Sequence, residues 1–301
     1  MKKRKNKAAS SDFLPTQLPQ TRKDQYFFIL KNQFSTLLLS GLWLLLCCLP
    51  LILTVYFQNQ FEIGFYQKYL SGEMNKTDYQ ASMNALMIYG SIIEVVFTFV
   101  ASLAIAGVNR ILKSLVSGEP ILFWDDFKCG VKQNYLNTCL LLFFFSILLG
   151  LCRFVNAFFM EYLLGIPCYI LLILIVIPVF TLASIFSSVY ECNVFHAISN
   201  AIKLYFPFWW KYLLMSFGIA TIFTGLHYLE TLPFIVAIVQ MVLCVLVLPL
   251  YLLLLYSISF SLFDQYINQE EFPEFYGSGL YRPKEEDQKN KAYQDFVASA
   301  S

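Results

Sequence analysis

Residues 34–57, FSTLLLSGLWLLLCCLPLILTVYF, run for 24 positions without a charged side chain. A helix crossing the hydrocarbon core of a bilayer needs about 20 largely apolar residues. Residues 85–108, a shorter run at 136–152, then 163–188 and 212–229 have the same character, and a sixth span falls inside the apolar stretch Leu232–Phe263. A hydrophobic content of 58% and a mean hydropathy of +0.60 lie far outside soluble composition. The expected fold class is an all-α integral membrane protein with six transmembrane helices, its first span kept as a span and not removed as a signal peptide.

Six spans place both chain ends on one side, and the basic residues say which. The terminal segments and even-numbered connections hold 18 of the 21 Lys and Arg residues, and the odd-numbered connections hold 3. Basic residues flanking spans are retained in the cytoplasm, so both termini are expected there. The opening MKKRKNK has two readings: a solvated topology signal, or a segment attracted to anionic headgroups. The resulting domains are a disordered basic tail at 1–25, a six-helix membrane domain at 26–263, and a polar cytoplasmic tail at 264–301. With a net charge of +1, nothing in the balance points to nucleic acid.

An apolar spacing of i, i+4, i+8 recurs before three of the outward-running spans. It comprises Tyr26, Leu30 and Phe34; Phe127, Val131 and Tyr135; and Ile198, Ile202 and Phe206. Lys31, Lys132 and Lys203 each follow the central apolar residue. The spacing predicts three helical hairpins, each introduced by an amphipathic elbow helix in the inner interface. VFTFVAS at 96–102 and VFTLAS at 179–184 form a second echo, and Pro178 and Pro249 sit in similar contexts. Shared constraints on any helix entering a membrane produce such echoes too, so true repetition and convergent patterning both stand.

The segment AGVNRILKSLVSGEPILFWDDFKCGVKQNY, at 106–135, combines a glycine-ended span, a basic helix, a Gly-Glu turn and an aromatic-rich helix. LFDQYINQEEFPEFYGSGL, at 262–280, adds an Asp-containing helix, a Pro-Glu pair and a late glycine. Together they resemble the YesL-type membrane proteins of Gram-positive bacteria, over most of residues 26–280. The resemblance implies a multipass plasma-membrane protein of unassigned activity, associated with carbohydrate uptake as an accessory or regulatory component. The basic N-terminal extension and the 27-residue first outer loop depart from the family pattern. No family catalytic residues exist to carry over.

The search for chemistry yields little beyond one charge. His196 and His227 fall at opposite faces, and no metal, thiol-redox or phosphate-loop motif is present. No cofactor is expected, and no enzyme. The segment 191–207 lies where an importer's coupling loop would, but lacks its Ala-Ala and Gly. Six of the eight cysteines fall in apolar runs, the usual setting of buried free thiols. The exception is Glu94, about 14 Å below the outer end of the second span, with Arg153 about 9 Å below the end of an extended third. A lipid-exposed carboxylate would cost several kcal/mol, so Glu94 is expected to face the bundle and meet Arg153. The pair has a structural reading, fixing two hairpins, and a functional one, a coupling carboxylate. Gln240 and Pro178 are further sites of helix adjustment. The expected partners are the lipid bilayer and a sugar-transport permease or other membrane protein. The alternative is a small secondary transporter using Glu94 in a bundle cavity.

Overall fold

The computed structural model describes residues 18–158, 165–225, 233–273 and 275–281; for 156–158, 165–166, 214–225, 233–237, 240 and 244 it describes the backbone alone. The regular elements among them are helices: α1 (Arg22–Asn32), α2 (Phe34–Leu70), α3 (Lys76–Ser117), α4 (Phe123–Phe158), α5 (Gly165–Leu171), α6 (Ile177–Tyr190), α7 (Val194–Gly225) and α8 (Pro233–Phe263). A π-helical turn, Leu172–Val176, joins α5 to α6, and another, Asp264–Asn268, continues α8. Five segments are long and apolar enough to cross a membrane: Phe34–Leu70, Lys76–Ser117, Phe123–Val155, Pro167–Tyr190 and Val245–Asn268. The chain is therefore an all-helical protein of multi-pass, membrane-embedded character. The span expected at 212–229 lies partly outside the described residues.

The helices outrun the hydrocarbon. At 1.5 Å per residue, α2 is about 55 Å long and α3 about 63 Å, against a core of about 30 Å. The first outer connection, expected as a 27-residue loop, is thus largely two helical extensions joined by a short turn. Gly72 turns the chain at φ 79°, and the Asn75 side chain caps α3 by accepting from the Asp78 N–H at 2.8 Å. The Tyr69 and Tyr79 rings stack 5.0 Å apart across the gap. At its other end α3 stops at Gly118, whose φ of 73° is left-handed.

The elbow expected before the third span is no separate element: α4 runs without a break from Phe123. Phe127 is buried against Trp43, Phe123 and the bare backbone of Gly107, and so is not free to lie on acyl chains. The buried face of α4 continues through Gly130, Asn134, Thr138 and Leu141, one turn apart and mostly small or polar. Such residues let helices approach where no apolar driving force separates protein from lipid. The other two predicted elbows end at backbone breaks of similar shape, Gln33 (φ −125°, ψ 24°) and Phe208 (φ −121°, ψ 20°). Along the first arm of α7 the buried face is Val194, Ala197, Ala201, Leu204 and Tyr205, packed on α6, while Ile202 and Phe206 are exposed.

The core gathers where α3, α6 and α8 end and α2, α4 and α7 begin. Tyr256, Phe260, Phe263, Leu37, Leu44 and Ile111 are fully enclosed there. The prolines are accommodated rather than avoided. Pro178 has no N–H for the Leu174 carbonyl four residues back, and the Tyr205 hydroxyl donates to that oxygen from α7. Pro249 likewise leaves the Val245 carbonyl, against which Gly41 of α2 packs so closely that a Cβ would overlap it. Replacing Tyr205 by Phe removes the donor to the Leu174 carbonyl, at an expected loss of about 0.5–1.5 kcal/mol. Reversible unfolding in detergent, with the exposed Tyr66→Phe as a near-neutral reference, measures it.

Candidate functional site

On α3, Gly90, Glu94 and Thr98 recur every fourth residue and share a buried face. Glu94 is 8% exposed. From α4, the Arg153 Nη1 donates to the Glu94 Oε1, and the two side chains form an ion pair. Gly150, one turn before Arg153, brings α4 against Ser91. The structure thus brings together the two residues singled out in the sequence. Around them, α2 contributes Gln58, whose amide packs over the bare backbone of Gly90. From α5, Tyr169 lies within electrostatic range of Arg153, Cys152, Glu62 and Cys168. A low-dielectric setting strengthens the attraction and raises the penalty for breaking it.

The other singled-out residues do not join this pair. His196 is exposed on the first arm of α7, and His227 and the Gln240 side chain lie outside the described residues. Pro178 opens α6 immediately after the π-helical turn. Among the described residues no three His, Cys, Asp or Glu side chains could hold a metal ion. The described cysteines are free thiols. Burial pushes the Cys192 thiol up, away from a reactive thiolate.

A second polar cluster, about 33 Å along α3 from Glu94, was not visible from the sequence. The Arg22 Nη2 lies 2.5 Å from the Asp264 Oδ2, with the side chains 10% and 13% exposed. Arg22 also donates to the Gln25 Oε1 and the Ser278 carbonyl, each at 2.8 Å, and stands 5.2 Å over the Phe260 ring. The Gln25 Nε2 donates to the Val116 carbonyl at 2.6 Å and the Gly279 carbonyl at 3.1 Å. The second Asp264 oxygen accepts from the Asn268 Nδ2 at 2.9 Å and the Gly277 N–H at 3.0 Å. The Tyr190 hydroxyl donates to the Asn268 Oδ1 at 2.6 Å.

Beside this cluster, buried Lys113 serves the end of α6. Its Nζ donates to the Val189 carbonyl at 3.1 Å, one of the acceptors a helix C-terminus leaves over. The Glu191 carboxylate is 3.9 Å away, on a residue with a φ of 52°. The Asn137 Nδ2 donates to the Cys192 carbonyl, just past the end of α6, at 3.0 Å. The α6–α7 connection is therefore held from α3 and α4. Sequence reasoning placed Arg22 and Lys113 among the topology charges, and only the Asp264-to-Asn268 spacing after a long apolar run carried a local signal.

No family model matches the chain, and neither a curated protein nor a solved structure does.

The Glu94–Arg153 pair yields a directional expectation. Removing one partner of a fully buried pair costs about 3–5 kcal/mol, and the 21% exposure of Arg153 places this pair at or below that range. Glu94→Gln leaves a guanidinium without its counter-ion, so it should destabilise more than the double variant Glu94→Gln/Arg153→Gln. Folded yield and detergent unfolding of both single variants and the double variant measure this. Equal stability of all variants and the parent would remove the pair from the account.

Proposed function

We propose that this chain is a six-span plasma-membrane protein of a bacterium, with both termini cytoplasmic, acting as a non-enzymatic accessory or regulatory component beside a carbohydrate-uptake system. The observation that carries the non-transporting role is the state of Glu94: the carboxylate is enclosed, and a guanidinium already neutralises it. Such a pair suits a packing element better than a group that must bind and release a proton or substrate. The association with carbohydrate uptake rests on the resemblance of residues 106–135 and 262–280 to the YesL-type proteins.

Interfacial anchoring at the inner surface fits this reading. Trp209 and Trp210 are exposed, and the Lys211 Nζ stands 5.4 and 5.6 Å over the Phe208 and Trp210 rings. Lys31, Lys132 and Lys203 are exposed as well, as elbow segments near headgroups require. The exposed apolar side chains of α2, α3 and α4, among them Leu46, Ile92 and Leu136, suit contact with acyl chains or a membrane partner.

A second reading, a small secondary transporter, is favoured by the polar neighbourhood of Glu94. The buried amide nitrogen of Gln58, packed over Gly90 one turn from Glu94, finds no hydrogen-bond partner, and buried polar groups in spans mark many transport paths. Affinity capture of the full chain from native membranes separates the two. Recovery of a sugar permease supports the accessory role. Repeated capture without a specific partner, together with flux in reconstituted vesicles that Glu94→Gln abolishes, would replace it with transport.

A further inference from the structure

We propose that residues 269–273 and 275–281 are a strap that, together with Asp264 at the end of the last apolar segment, holds α1 in place, so that α1 and the strap dock and release as one unit while the membrane helices stay folded. The case begins with how little holds α1 otherwise. It has 11 residues, a length at which an isolated helix is marginal in water. Its buried side chains are Gln25 and Ile29, one polar and one apolar. Tyr26 is partly buried against the core and α1 packs on α8, so the apolar contact is modest and the polar contacts add to it in fixing the helix.

Those contacts lead to the strap. Arg22 reaches Asp264 and the Ser278 carbonyl, and Gln25 reaches the Gly279 carbonyl. Just before α1, the Pro19 carbonyl accepts from the Tyr281 N–H at 2.8 Å. With the strap withdrawn, Arg22 would lose its bond to the Ser278 carbonyl and Gln25 its bond to the Gly279 carbonyl, and the remaining contacts to Asp264 and Val116 would be opened to solvent. The buried groups would then be better served by water, which favours release of α1.

The dependence is mutual. Past the π-helical turn, the strap's own backbone bonds are short-range turns, such as Phe275 N–H to Phe272 O and Ser278 N–H to Phe275 O. It is held by Asp264, which accepts the Gly277 N–H, and by the Phe272 and Phe275 rings on Tyr190. Gly279 seals the contact: at φ 77° it lies against Gly118, the Val116 carbonyl and the Gln25 amide, with no room for a Cβ. The strap thus closes on the end of α3 and on α1 together.

Hydrogen–deuterium exchange on the full chain in lipid nanodiscs tests this with two variants. Gly279→Val wedges the strap without touching a charge, and Asp264→Asn weakens the ion pair without adding volume. In both, exchange in 22–32 and in the strap, 269–273 and 275–281, is expected to speed up together by at least tenfold, with residues 95–108 of α3 unchanged. Faster exchange in the strap with α1 at its native rate would overturn the proposal, because α1 would then dock by itself. Equal acceleration in α3 would also overturn it, because the segment would then be part of the global fold and not a separable latch.

Discussion

A backbone polar group left unpaired in hydrocarbon costs several kcal/mol, and this constraint shapes the molecule. It accounts for α2, α3 and α4 staying helical throughout their apolar stretches. It also accounts for what happens where a helix cannot satisfy itself. The carbonyl abandoned by Pro178 receives a tyrosine hydroxyl, and the end of α6 receives a lysine and an asparagine. The carbonyl abandoned by Pro249 is covered by the closest approach of α2. Charged side chains obey the same rule, since Glu94 and Asp264 each meet an arginine.

The membrane character and most helix positions were legible because each depends on local composition. Apolar runs reveal spans whatever their neighbours, and an acid inside such a run is conspicuous, which made Glu94 and then Arg153 readable. Helix ends were harder. A span ends at the first polar residues, yet α2 continues through Gln58 and Glu62 to Leu70, because helix propensity does not stop at the hydrocarbon edge.

The packing faces and the second cluster were not legible for a different reason. Periodicity marks Phe127, Ile202 and Phe206 as apolar alike, but in a membrane both the lipid and the core accept apolar groups. Small and polar residues then decide which face is buried. That is why Gly130, Asn134, Ala197 and Ala201 line contacts while Ile202 and Phe206 do not. Arg22 is chemically indistinguishable from the seven other basic residues before the first span. Its role comes from Asp264, 242 positions away, and no local pattern encodes that distance. The two clusters also differ in kind: one is a single ion pair between α3 and α4, whereas the other is a network tying α1 and the segment after α8 to the end of α3.

The central claim is that the helices cross a bilayer with their basic flanks, and so both termini, at the cytoplasmic surface. Attaching a small epitope to each end in turn and comparing protease accessibility in intact and permeabilised cells tests it most directly. The account predicts protection of both epitopes until the membrane is opened. Cleavage of either one in intact cells would contradict it.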